Sequence, residues 1–186
     1  MGKVLAAIAA MMACVSATPM APLPNYSHEE RAIVQVFCKR ADGNTASGTA
    51  FKVGRNSYIT ANHVTASGLC YVGGERITVT SSDFEKDYAT FQGPASDVVL
   101  KADCKGFRAG EVYIARGYPG GMPFNIQAPW TAMDYVMDGF QVFTGEGIPG
   151  MSGGAVIDRR GVAVGLVNKR WPTRSMPLRS TSFCRG

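Results

Sequence analysis

The chain has 186 residues, 46% of them apolar, and a mean hydropathy near zero. That is enough to bury the core of one domain or two small ones, and it excludes an intrinsically disordered chain. Charged residues make up only 18%, while 22 glycines and 10 prolines punctuate the chain, a balance that favours short strands and tight turns over a helical bundle. Nineteen Lys and Arg against fourteen Asp and Glu give a net charge of +5, too small to require a nucleic-acid partner.

At the N-terminus, Lys3 precedes an apolar run over residues 4–17 that is interrupted only by Ser16. The run is too short to span a bilayer comfortably. With Val15-Ser16-Ala17 ahead of Thr18 it reads as a secretory signal peptide cleaved after Ala17, which predicts a secreted or periplasmic protein with no stable membrane span in the mature chain. Residues 18–31 carry Pro19, Pro22 and Pro24 and read as a loose leader. Short runs rich in β-branched and aromatic residues then follow at 32–38, 48–53, 57–60, 70–72, 76–81 and 88–92, with a further strand expected near 98–101. The pattern resumes at 111–115, 131–137, 140–144, 155–157, 162–167 and 176–182. No helical apolar period persists for three turns. The predicted fold class is all-β: two antiparallel six-stranded barrels side by side, at about 32–105 and 106–186.

Cys14 leaves with the signal peptide, so Cys38, Cys70, Cys104 and Cys184 remain, an even number in a chain read as exported. Two disulfides are expected; sequence does not choose among the three pairings, with Cys38–Cys70 and Cys104–Cys184 preferred. The cysteines lie 32, 34 and 80 residues apart, without a C-x-x-C pair and with only His28 and His63 to help, so no metal site and no cofactor are expected. Arg159, Arg160, Lys169, Arg170, Arg174, Arg179 and Arg185 form a basic C-terminal region without an acidic residue, read as a solvated face.

The chemistry concentrates in Gly150-Met151-Ser152-Gly153-Gly154. Glycines this close to a serine let backbone approach a substrate, and the N–H groups of Gly150 and Ser152 can point at one spot, as an oxyanion hole requires. G-x-S-x-G also describes the nucleophile elbow of α/β-hydrolases, but there the histidine follows the serine, whereas His28 and His63 both precede Ser152. A subtilisin-like order needs an aspartate before the histidine; only Asp42 lies upstream of His63, and the βαβ alternation is missing. What survives is His, then Asp, then Ser. His63 ends the run Ser57-Tyr58-Ile59-Thr60-Ala61-Asn62-His63, at a strand end rather than in a core, while His28 sits in a polar run.

Three blocks in this order resemble the chymotrypsin-like (trypsin-fold) serine peptidases, especially the compact HtrA-type and viral members. Gly48-Thr49-Ala50-Phe51 with Ile59-Thr60-Ala61-Asn62-His63-Val64 is similar to the family's histidine block. Gly150 to Ile157 with the stretch 161–168 is similar to its serine block, and Gly110 to Gly120 to the first strand of its second barrel. For the acid, Asp87-Tyr88-Ala89-Thr90-Phe91 and Asp97-Val98-Val99-Leu100 both resemble the family pattern, the first more closely, so Asp87 is preferred over Asp97.

The resemblance implies a serine endopeptidase acting on peptide or protein substrates. Ser152 would be the nucleophile, His63 the general base, Asp87 the orienting acid, and the amides of Gly150 and Ser152 the oxyanion hole. Activity is then expected to rise as His63 loses its proton. It also implies an S1 pocket walled by Glu146 to Pro149 and by the strand end at Val167-Asn168-Lys169-Arg170. Glu146 would favour a basic P1 residue and Lys169 and Arg170 an acidic one, so Glu146 and Asn168 stand as pocket candidates without a committed specificity. Met151 replaces the aspartate that pairs with a newly cut N-terminus in zymogen-activated members, and no Ile-Val-Gly-Gly start precedes the first strand, which argues against that activation route. The stretch after Asn168 is too short for a PDZ domain. The alternatives are an inactive binding module on the same fold and a viral or phage processing peptidase.

Overall fold

A computed structural model describes residues 27–103, 106–137, 139–145, 147–168 and the backbone of 179–181. The signal-peptide reading, Cys104, Cys184, Glu146, Lys169 and Arg170 lie outside these residues.

The chain opens with a short helix, α1 (Ser27–Ala32), where the sequence reading placed the end of a loose leader. Glu29 and Glu30 in its first turn and Arg31 in its last complement the helix dipole. Glu30 also reaches Arg116, a guanidinium that is 1% exposed and also bonds Asn125 and Gln127. A buried cation far along the chain thus anchors a segment too short to be helical on propensity alone.

The first sheet follows as β1 (Ile33–Lys39), β2 (Thr45–Lys52), β3 (Ser57–Thr60), β4 (Leu69–Val72), β5 (Glu75–Arg76), β6 (Thr78–Asp83) and β7 (Tyr88–Gln92), in the spatial order β5-β4-β1-β2-β3-β7-β6. Expected strand 76–81 is split at Ile77, whose N–H bonds the Cys70 carbonyl, and its two parts lie on opposite edges. The sheet therefore counts seven strands, and its edges meet in the chain at one buried residue, so it curls nearly closed. A one-turn helix, α2 (Asn62–Thr65), leaves β3 and carries His63. Cys38 and Cys70, paired between β1 and β4, form a disulfide. Cys38 Sγ lies 3.2 Å from the Val64 carbonyl, so this bridge supports α2 from below.

The second sheet holds β8 (Val112–Gly117), β9 (Ile126–Met137), β10 (Phe140–Thr144), β11 (Ala155–Ile157), β12 (Ala163–Val167) and β13 (Arg179–Thr181), closed as a barrel in the order β10-β13-β12-β11-β8-β9. β9 begins before Pro129, where the sequence reading began it at Thr131. Its first residues pair only with β8, so the N–H that Pro129 lacks faces no strand partner. The strand expected near 98–101 is irregular and meets the second sheet through a single bridge, Ala102 to Ala163. Ser96 Oγ accepts the Val98 N–H, and that local bond competes with a ladder.

Two aromatic clusters fill the interior. Tyr58 stacks on Phe91 at 4.9 Å in the first, and Phe107, Tyr113 and Phe143 meet edge to face in the second. Ala155, Ile157 and Leu166 of β11 and β12 join the first cluster, so the two sheets are packed against each other.

Candidate active site

His63 projects from α2 with 46% of its side chain exposed, and Asp87 sits under it with 5% exposed. Asp87 accepts twice: from the His63 backbone N–H at 2.8 Å through Oδ1, and at 2.7 Å from Nδ1 through Oδ2. An ionised carboxylate only accepts, so the Nδ1 position carries the ring proton and Nε2 is left as the basic edge. Asp87 has φ +48°, the one left-handed non-glycine backbone among the described residues. Such a conformation is tolerated by Asp and is held where the surroundings over-determine it. Asp97, the alternative acid, is exposed in the irregular segment and is not brought to His63.

Ser152 stands in the loop between β10 and β11, and with His63 it lines one small cavity. The loop is held from the first sheet by Thr49, which is fully buried. Its N–H bonds the Ser152 carbonyl at 2.8 Å, and its Oγ1 donates to the Gly150 carbonyl at 2.7 Å while accepting the Tyr118 N–H at 2.9 Å. Replacing Thr49 with Val leaves that carbonyl and that amide unpaired, and thermal denaturation is expected to read a loss of about 2 kcal/mol. An unchanged melting curve would contradict the arrangement.

The amides of the loop divide into two sets. Those of Met151, Gly153 and Gly154 bond Ile148, Val167 and Met151 carbonyls at 3.0, 2.6 and 2.9 Å. Those of Gly150 and Ser152 donate to nothing among the described residues. Gly150 has φ +97°, and a Cβ there would meet the Tyr118 carbonyl oxygen at 2.4 Å, so only glycine fits. Two unspent donors beside a serine hydroxyl can stabilise an oxyanion.

The Ser152 hydroxyl donates to the Asn168 carbonyl at 3.3 Å and makes no bond to His63. Asn168 itself is placed differently from the pocket reading. The residue is 1% exposed, and its Nδ2 donates to the Lys86 and Asp87 carbonyls at 3.3 and 3.2 Å. It braces the turn that presents Asp87 rather than facing an opening, and its Oδ1 has no partner among the described residues. His28 is exposed and stands in α1, away from this site. Among the described residues no cluster of His, Cys, Asp or Glu could hold a metal ion, and no helix is long and apolar enough to cross a membrane. Of the basic C-terminal residues with described side chains, Arg160 is paired with Asp158 at 2.7 Å and Asp103 at 3.2 Å, so part of that charge is neutralised.

Comparison with solved structures places the architecture. The active form of the Rv3671c protease from M. tuberculosis superposes with a TM-score of 0.73 at 20% identity, over 97% of this chain and 90% of that one. This chain has the chymotrypsin-like fold. The Yersinia pestis serine endoprotease aligns at a TM-score of 0.71 and 16% identity over 83% of this chain. The HtrA-type protease AlgW, solved with a tripeptide, aligns at 0.70 and 20% over 84%. The chymotrypsin-like chain spans 60% of the length of the Yersinia protein and 58% of AlgW. No protein-family model matches it, and no curated protein matches it significantly.

Proposed function

We propose that the chain is a serine endopeptidase that cleaves peptide bonds through an acyl-enzyme on Ser152. The observation that carries this reading is the His63–Asp87 pair, 2.7 Å apart, whose histidine lines the same cavity as Ser152. Ser152 Oγ turns from the Asn168 carbonyl toward Nε2, His63 takes its proton, and the oxygen attacks the substrate carbonyl. Asp87 keeps the ring tautomer and stabilises the imidazolium. The N–H groups of Gly150 and Ser152 bind the carbonyl oxygen as its charge develops, a contribution of about 10²–10³ in kcat per donor. His63 then returns the proton to the departing amine, and water repeats the sequence to release the acyl group.

Peptide-bound AlgW and the protease neighbours of the same fold support peptide substrates. The Cys38–Cys70 disulfide supports an oxidising compartment, secreted or periplasmic, for a peptidase domain spanning 32–186. Incubation of the purified chain with unfolded casein tests the reading. Fragments that form with the wild type and not with Ser152→Ala are expected, and identical silence from both overturns it. The second reading, an inactive binding module, is favoured by one observation, the Ser152 hydroxyl resting on Asn168 instead of His63. Catalytic hydrogen bonds are often unmade before substrate arrives.

A further inference from the structure

The cavity in front of His63 and Ser152 measures about 90 Å³, and Cys38, Arg40, Ala46, Ser47, Val64 and Ser67 complete its lining. In the peptidase reading above, on which this inference rests, His63 gives its proton to the departing amine. The segment that leaves must therefore pass over the His63 face, while the carbonyl oxygen points to the Gly150 and Ser152 amides. The cavity lies against α2 and the hairpin joining β1 to β2, on that departing side.

Arg40 is the first residue after β1 and begins this hairpin turn. Its backbone is fixed there, with its N–H on the Asn44 carbonyl at 2.8 Å and its own carbonyl accepting from Gly43 at 3.1 Å. Its side chain is exposed and forms no ion pair among the described residues. The nearest carboxylate in sequence, Asp42, is engaged by Asn44 through its N–H at 2.9 Å and Nδ2 at 3.1 Å. Those bonds first, and the Arg40 charge after them, hold the Asp42 carboxyl below its ordinary range. The Ser67 hydroxyl is occupied on the Val64 carbonyl at 2.6 Å. The wall of the cavity thus presents one cation and no carboxylate.

We propose that Arg40 is a specificity-determining residue on the leaving side, and that peptides with Asp or Glu in the first two positions after the scissile bond are the preferred substrates. A solvent-open guanidinium meeting a carboxylate supports a preference of about 2- to 5-fold.

A pool of random-sequence peptides, digested separately by the wild type, Arg40→Gln and Arg40→Glu and mapped by mass spectrometry, tests this. In the wild type Asp and Glu are expected to be enriched about 2- to 5-fold in those two positions. The enrichment disappears in Arg40→Gln and gives way to Lys and Arg in Arg40→Glu, with the residues before the cut unchanged. Ser152-dependent cuts without acidic enrichment, or an enrichment that survives in Arg40→Glu, overturn the role of Arg40 and leave the peptidase reading standing. No Ser152-dependent cut at all overturns both.

Discussion

Replacing Asp87 with Asn is expected to lower kcat/KM for peptide hydrolysis by about 10⁴ while the chain stays folded. Both carboxylate oxygens are in use, one on the His63 N–H at 2.8 Å and one on Nδ1 at 2.7 Å. Asn has one acceptor oxygen, so either the backbone bond is lost or an amide N–H is turned toward Nδ1. The second outcome forces the proton onto Nε2, and in the proposed mechanism that leaves the ring unable to act as general base toward Ser152. Asn tolerates the left-handed backbone that Asp87 adopts at φ +48°, which separates the electrostatic loss from strain. Steady-state kinetics beside a melting curve check the point. A variant within about tenfold of wild type would show that Asp87 is not the orienting acid.

Replacing Gly153 with Ala is expected to cost more stability than the Thr49 replacement. Gly153 has φ +84°, and a Cβ there would lie 2.1 Å from the Thr49 carbonyl oxygen and 2.2 Å from Thr60 Oγ1. Those two atoms are bonded to each other at 2.6 Å in the buried layer that joins β2 and β3. The left-handed backbone costs about 1–2 kcal/mol and the forced separation about 1–3 kcal/mol more. For a chain of this size the melting temperature should fall by about 10 °C, and a change under about 2 °C would contradict the packing described here.

Much of the fold was legible because each strand carries its own signal. The stretch 57–60 reads as Ser-Tyr-Ile-Thr and folds as β3 over those residues, and the same holds for β7, β10 and β11. His63 and Ser152 stood out because a strand end and a glycine cluster mark places where a side chain is presented and backbone is approached. What stayed hidden depends on partners distant in sequence. Glu30 reaches Arg116 across 86 positions, and nothing local to Ser27-His28-Glu29-Glu30 announces that buried cation. Thr49 belongs to the block that resembles the family's histidine block, but nothing local to it announces that its hydroxyl is shared between Gly150 and Tyr118, more than 60 positions away. Asn168 directly follows β12, and its side chain turns to the carbonyls beneath Asp87, a choice between solvent and interior that a strand-end position does not encode. The split of 76–81 follows from sheet curvature, which a run of β-formers does not encode.

Treatment of the purified chain with a fluorophosphonate probe, with the adduct located by mass spectrometry, tests the central claim most directly. An assembled nucleophile predicts a single adduct on Ser152, absent from Ser152→Ala and strongly slowed in Asp87→Asn. A folded wild-type chain that takes up no probe, or takes it up equally well in Asp87→Asn, would contradict a catalytic site built from His63, Asp87 and Ser152.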